Sequence, residues 1–214
     1  MKIAVLISGS GSNLQALIDA VEKGELSATI ALVISNNPDA GGLDRARLAG
    51  IDCIVVNHRC YASREHFDQA LLATLAPYSP DLILLAGFMR ILTADFIGNY
   101  HGKLLNIHPS LLPKYPGLHT HQRAIDNGDS LGGATVHFVT VELDGGPPII
   151  QARVSIEDSD DATTLAERVL IEEHKIYTLA ARWFCAGRLA LSSDKATLDG
   201  TILADTGVVY SKLP

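Results

Sequence analysis

The chain has 214 residues, of which 47% are apolar and 19% are charged, and its formal net charge is -7 at pH 7. This length suffices for one sizeable hydrophobic core, and the composition excludes an intrinsically disordered chain. Lysines and arginines are scattered over an acidic sequence, which argues against a general nucleic-acid-binding surface but permits a small anionic substrate.

The cysteines and the apolar start indicate in which compartment the protein works. Cys53, Cys60 and Cys185 are widely spaced and form no Cys-x-x-Cys pair, so neither a disulfide framework nor a zinc knuckle is predicted. The apolar start, residues 1–7, is too short for a signal peptide or a membrane span and leads directly into a glycine turn. We therefore interpret it as a first strand and expect a cytoplasmic enzyme without membrane association.

Apolar runs alternate with helical patterns through the first half of the chain. The predicted strands are Lys2–Ile7, Thr29–Ser35, 52–56, 81–86 and 103–106. The predicted helices are 13–23, 42–49, 63–76 and Ala94–Asn99. This alternation predicts an α/β fold with a doubly wound, mostly parallel sheet of Rossmann-like type.

The second half of the chain changes character. Two β-rich segments, 134–140 and 148–154, flank a turn at 143–146 and predict an antiparallel hairpin added to the sheet. A long helix is predicted over 163–187, and Asp199-Gly200 predicts a small terminal hairpin of 196–198 with 201–203. Because no linker or repeat interrupts the pattern, we expect a single domain over residues 1–214.

A glycine turn connects the first strand to the first helix. The run Ile7-Ser8-Gly9-Ser10-Gly11-Ser12-Asn13-Leu14 lacks the third glycine of a dinucleotide fingerprint, and no acidic residue ends the second strand. The nucleoside triphosphate motif Gly-x-x-x-x-Gly-Lys-Ser/Thr is also missing. A helix N-terminus with free N–H groups and the hydroxyls of Ser10 and Ser12 remains, which suits a phosphate monoester. The alternative is a tight turn that binds no ligand.

The segment Leu105-Asn106-Ile107-His108-Pro109 contains two candidate catalytic side chains. Asn106 and His108 are two residues apart at a predicted strand end, so their side chains point to the same face. An amide donor and an imidazole aimed at one point suit a developing oxyanion and its proton transfers. A carboxylate from Asp144 would orient the ring and favour its protonated form. With no serine or cysteine nucleophile beside them, this set indicates direct transfer of a one-carbon acyl group.

Each of these residues also has a structural interpretation. His108 could be a core histidine, His137 a sheet histidine, and Asp144 a turn residue before two glycines. His119 and His121 alternate like metal ligands, but no third ligand is apparent, so we expect no metal. Arg64 could cap its helix, 89–92 could be plain packing after a strand, and Glu173 could lie on a solvated helix face.

With these residues in hand, the chain resembles the phosphoribosylglycinamide formyltransferase family. The matching segments are 8–15, 85–92, 105–121, 136–140 and 143–147, which follow one another in order over nearly the whole chain. The resemblance implies a formyltransferase fold and transfer of formyl from 10-formyltetrahydrofolate, as co-substrate, to the amine of phosphoribosyl-glycinamide in de novo purine biosynthesis, without metal. It also implies a cis bond at Leu112-Pro113.

The family's functional residues carry over to positions of this sequence. The resemblance implies that Asn106, His108 and Asp144 are catalytic and that Gly11, Ser12, Asn13 and Glu173 bind the phosphoribosyl substrate. It implies that the folate contacts Arg64, Met89, Arg90, Ile91, Leu92, Asn106, Thr140, Val141, Glu142, Leu143 and Asp144. Val141 departs from the family, which often has an acidic residue there, so the number of polar folate contacts is open. The domain would divide into a phosphate-binding half (1–100), a catalytic and folate-binding half (101–190) and a terminal hairpin (191–214), and the protein would be a monomer or homodimer.

Three rival functions share part of this pattern. A methionyl-tRNA formyltransferase should carry a further basic domain for tRNA, which we do not expect in so short and acidic a sequence. A formyltetrahydrofolate hydrolase would normally carry an N-terminal regulatory domain, whereas here the catalytic sheet is predicted to start at Ile3. A nucleotide-binding regulatory module would explain the glycine turn but not Asn106, His108 and Asp144.

Overall fold

The computed structural model describes residues 1–210. Its strands are β1 (Lys2–Ile7), β2 (Thr29–Ser35), β3 (Cys53–Val55), β4 (Leu82–Leu85), β5 (Leu104–His108), β6 (Leu131–Phe138), β7 (Pro148–Ser155), β8 (Leu189–Ser192), β9 (Lys195–Leu198), β10 (Thr201–Ile202) and β11 (Val208–Tyr210). Its α-helices are α1 (Ser12–Glu22), α2 (Gly42–Leu48), α3 (Arg64–Leu75), α4 (Ala94–Asn99), α5 (Thr120–Asp126) and α6 (Ala162–Cys185), with a 3-10 helix at His58–Cys60.

Eight strands form a mostly parallel sheet in the order β11-β7-β6-β5-β4-β1-β2-β3. β1 pairs in parallel with β2 and β4, β4 with β5, and β2 with β3. All four residues of β4 are buried, as expected for a parallel strand covered on both faces. The predicted doubly wound α/β sheet is confirmed.

The predicted hairpin on this sheet is also confirmed, because β6 and β7 pair antiparallel. The terminal hairpin forms between β9 and β10, with Asp199 and Gly200 at φ 53° and 78° in the connecting turn. Two partners were not predicted: β8 adds a third antiparallel strand to this hairpin, and β11 pairs in parallel with β7. Residues 211–214 of the predicted terminal segment lie outside the described residues.

Contacts divide the chain into two compact units, Met1–Asn106 and the part that begins at Ile107. In the first unit α1 buries Leu14, Leu17 and Ile18, which share one face of a helix at this spacing. The predicted single-domain organisation, with its boundaries at 100 and 190, stays a prediction.

In the second unit the long helix α6 packs on β6 and β7. A capping box begins it, in which the Asp161 side chain accepts from the Thr164 backbone and the Thr164 hydroxyl accepts from the Asp161 backbone. Leu165, Val169 and Ile176 are buried on its inner side. Within residues 1–210, no helix has the length and apolarity to cross a membrane.

Candidate active site

The glycine turn of the first unit depends on close backbone contact with α2. Gly11 has φ 74°, and a Cβ there would lie 2.5 Å from the Cα of Gly42. A Cβ on Gly42 would in turn lie 2.6 Å from Cδ1 of Ile7. The contact of Gly11 is with backbone, which cannot move aside, so glycine is required there for α1 and α2 to start side by side, whereas the contact of Gly42 is with the movable end of the Ile7 side chain.

This turn presents the start of α1 as the phosphate prediction requires. Gly11 has no side chain that could cap the helix, so a ligand can approach the N–H groups of the first turn. Ser12 is half-buried and Asn13 is buried. Arg45 of α2 donates from Nε to the Ser10 carbonyl at 2.9 Å, which brings a cation to the turn.

Ser8 connects the turn to the predicted folate-binding segment within the same unit. Its hydroxyl donates to Oδ1 of Asn36 at 2.5 Å and accepts the N–H of Met89 at 2.8 Å. Met89 is 65% exposed and Ile91 is 51% exposed, whereas Leu92 is buried. The segment 89–92 therefore holds two large apolar side chains in solvent, where a flat aromatic ligand could cover them.

Arg64 is exposed at the first position of α3, but it does not cap that helix. The cap is Ser63, whose hydroxyl accepts from the His66 backbone. One turn further, Oδ2 of the buried Asp68 accepts the N–H of Thr93 at 2.6 Å, and burial raises the pKa of this carboxyl. Sequence reasoning missed Asp68, which fixes α3 to the end of segment 89–92.

In the second unit the structure brings His108 and Asp144 together. Nδ1 of His108 lies 3.4 Å from Oδ2 of Asp144, and both side chains are more than nine-tenths buried. The same Oδ2 accepts the N–H of Gly117 at 2.8 Å. Nε2 of His108 lies 2.9 Å from the carbonyl oxygen of Tyr115. A carbonyl can only accept, so Nε2 carries a proton and Nδ1 is the nitrogen that faces the carboxylate.

His137 is a third member of this group that sequence reasoning treated only as a sheet histidine. Its Nδ1–H donates to the Phe138 carbonyl at 2.9 Å, and its Nε2 lies 3.8 Å from Oδ1 of Asp144. Burial lowers the pKa of His137 to about 4, although the hydrogen bond to Phe138 and the charge of Asp144 each raise it. His137 is therefore neutral at pH 7. Its place at the end of the strand before the Asp144 turn was the available sequence signal.

Asn106 and His108 both lie in β5, which extends two residues beyond the end of the predicted strand 103–106. It is half-buried and lies opposite Leu85 of β4 in the register. The strand thus places the amide and the imidazole on one face.

The predicted folate loop ends at Asp144, which has φ 52°. Val141 is 64% exposed and Leu143 is 52% exposed, and the chain turns back where the Gly145 N–H donates to the Glu142 carbonyl. Thr140 is half-buried before this turn. The loop therefore offers two apolar side chains and backbone groups to a ligand, and Val141 contributes apolar surface rather than charge.

Glu173 lies on the inner side of α6 and is only 8% exposed. The alternative of a solvated helix face is therefore wrong for this residue. Its neighbour Glu172 pairs with Lys175 instead.

His119 and His121 lie at the start of α5, where His119 is exposed and His121 half-buried. Burial and the nearby His108 charge lower the pKa of His121. Over the described part of the chain, no group of three or more His, Cys, Asp or Glu side chains could hold a metal ion. The bond at Leu112-Pro113 is cis, as the resemblance implied.

The site lies in a part of the chain that matches a known family: the formyl transferase family model matches residues 1–181. Phosphoribosylglycinamide formyltransferase of Escherichia coli (strain K12) is 51% identical over 97% of this chain and 98% of its own length. The protein of that name from Haemophilus influenzae is 48% identical over 96% and 97%. The solved structure of the Coxiella burnetii phosphoribosylglycinamide formyltransferase superposes with a TM-score of 0.95 at 48% identity, covering 99% of both chains.

The chain therefore belongs to the phosphoribosylglycinamide formyltransferase family, and it is a formyltransferase enzyme.

Proposed function

We propose that this enzyme transfers the formyl group of 10-formyltetrahydrofolate to the amine of 5-phosphoribosyl-glycinamide in purine biosynthesis. The observation that carries the proposal is the buried pair of His108 and Asp144, with Nδ1 of the ring 3.4 Å from the carboxylate. The names of the relatives support the acceptor, and the site chemistry supports transfer without a covalent enzyme intermediate.

The polar contacts of His108 determine which ring nitrogen faces Asp144. The Tyr115 carbonyl requires a proton on Nε2, so a neutral ring would turn the Nδ1 lone pair toward the Asp144 carboxylate. A second proton on Nδ1 replaces that repulsion with an ion pair. Asp144 thus lies where its carboxylate can stabilise an imidazolium that acts as proton donor.

The reaction follows from this arrangement. The substrate amine attacks the formyl carbon, a C–N bond forms, and the carbonyl electron pair moves onto oxygen. We assign the stabilisation of this oxyanion to the amide N–H of Asn106 and to the positive charge of protonated His108. The oxygen electron pair then re-forms the carbonyl, and the bond to the folate nitrogen breaks as that nitrogen takes a proton, while the former amine loses one. His108, or a water held by Asp144, moves these protons.

Binding of the two substrates is assigned to separate elements. The N–H groups of Gly11, Ser12 and Asn13 would hold the phosphate, and Glu173 the ribose or glycinamide end. The folate would contact the exposed segment 89–92 and the loop 140–144, with Arg64 near its carboxylate tail. No metal takes part in this scheme. We further place the enzyme in the cytoplasm, as a monomer or homodimer.

The test is a formyl-transfer assay with 10-formyltetrahydrofolate, with and without phosphoribosyl-glycinamide. We expect loss of the formyl donor only when the acceptor is present, with formylated glycinamide ribonucleotide appearing in equal amount. Deformylation at the same rate without the acceptor would contradict the proposal and indicate the hydrolase. Glycinamide without the phosphoribosyl group is the matched control for the phosphate site.

A further inference from the structure

We propose that Asp129 is a positioning residue for His108 and acts through Tyr115. In this inference Asp129 holds the Tyr115 side chain, and the Tyr115 carbonyl then fixes one proton of His108 on Nε2. The second, exchangeable proton is thereby confined to Nδ1, the atom that faces Asp144. The inference rests on the proposed role of His108 as proton donor.

The Tyr115 side chain is fixed by contacts with Asp129 and Arg123. Oδ2 of Asp129 accepts the Tyr115 hydroxyl at 2.8 Å. The same carboxylate accepts two hydrogen bonds from Nζ of Lys114, at 2.9 and 3.0 Å. The guanidinium carbon of Arg123 lies 5.1 Å from the centre of the Tyr115 ring, within cation–π range. Tyr115 is therefore fixed at its hydroxyl and over its ring face.

The backbone of segment 115–117 connects the Tyr115 side chain to the site. Tyr115 has φ 55°, a left-handed conformation that residues with a side chain keep only where neighbouring contacts hold them. Arg123 donates from Nη1 to the Pro116 carbonyl at 2.7 Å and so fixes the middle of the segment. These contacts hold the backbone in a shape that it would not favour alone.

The backbone of segment 115–117 in turn contacts His108 and Asp144. At one end the Tyr115 carbonyl accepts Nε2–H of His108 at 2.9 Å. At the other end the N–H of Gly117 donates to Oδ2 of Asp144 at 2.8 Å. Segment 115–117 therefore contacts both members of the pair, one as acceptor and one as donor. Loss of the side-chain hold would release the carbonyl from His108 and make the other neutral tautomer accessible.

The experiment follows the ring nitrogens of His108 by ¹⁵N NMR in the ligand-free protein, with the signals assigned from a His108→Ala variant. Above the titration of the ring, the wild type should show a single neutral tautomer with the proton on Nε2. Tyr115→Phe, which keeps the ring and carbonyl but loses the bond to Asp129, should show a mixture of tautomers. Asp129→Ala should show the same mixture.

Kinetics give the second measurement. In both variants kcat should fall by about tenfold with the KM of either substrate nearly unchanged, because the loss is in the geometry of proton transfer. Lys114→Gln is the control, since it removes a partner of Asp129 that is 59% exposed but leaves the Tyr115 hydrogen bond in place. Its tautomer and kcat should match the wild type.

An unchanged Nε2 tautomer in both Tyr115→Phe and Asp129→Ala would overturn the inference. Failure of the proposed function shows separately, as full formyl transfer by the His108→Ala variant. If Asp129→Ala does not fold, Tyr115→Phe decides the outcome alone.

Discussion

At the scale of single residues, burial sets the charge of the histidines around Asp144. His137 donates from Nδ1 to the Phe138 carbonyl, and desolvation lowers its pKa to about 4, below the ordinary 6.5. The unfolded chain therefore binds a proton at His137 between these two values that the folded chain does not bind. Stability from this residue is fully present above the unfolded pKa and is lost as the pH falls toward the folded one.

The prediction concerns the pH dependence of unfolding. Between about pH 7 and about pH 5, the wild type should lose about 2 kcal/mol more stability than a His137→Asn variant. Asparagine can place an N–H near the Nδ1 position, so the hydrogen bond to Phe138 is kept while the titration is removed. Urea unfolding at both pH values measures the difference. Equal losses of stability in the two proteins would show that His137 is not the titrating group. Because His121 is present in both proteins, its contribution cancels in the comparison.

Single residues were also predictable to different degrees. Asn106, His108 and Asp144 could be named from the sequence because strand ends and turns expose their positions. The contacts of Tyr115 and His137 could not be predicted, since Tyr115 meets His108 through its backbone carbonyl and His137 is buried in β6. Both depend on contacts between segments that are distant along the chain.

At the scale of elements, the position of the start of α1 depends on the lack of a side chain at Gly11. Gly11→Ala should destabilise the protein by about 2 kcal/mol or more, because alanine is strained at φ 74° and its Cβ would meet the Gly42 backbone. The KM for the phosphoribosyl substrate should rise as the first turn of α1 moves. Thermal unfolding and substrate titration measure the two effects.

Gly9→Ala is the matched control in the same turn. A Cβ on Gly9 has no heavy atom within 4 Å, so this variant should unfold within about 0.5 kcal/mol of the wild type. Equal stability losses at positions 9 and 11 would contradict the packing argument.

The predictable elements were those with an apolar pattern of their own. β1 and β2 were predicted to the residue because each is a continuous apolar run next to a turn. α5 was missed because its seven residues are mostly polar, and β11 because a three-residue strand forms only against β7. Local patterns do not contain that information.

At the scale of the whole molecule, the sheet topology was predictable because alternating strands and helices permit few arrangements. In the strand order β6-β5-β4-β1, β4, β5 and β6 follow one another along the chain, whereas β4 pairs with β1 from the start of the chain. β5 thus lies at the centre of the order and carries both Asn106 and His108 at its end. Function in this fold resides in such strand ends rather than in the sheet itself.

We expect formyl transfer to depend on the pairing of His108 with Asp144. The most direct measurement is the single-turnover rate of acceptor-dependent transfer in wild type and Asp144→Asn, as a function of pH. The variant keeps the size of the side chain but lacks the charge that stabilises Nδ1–H of His108, 3.4 Å away. The account predicts a rate lower by at least about a hundredfold and an altered pH profile. An unchanged rate with an unchanged profile would contradict it.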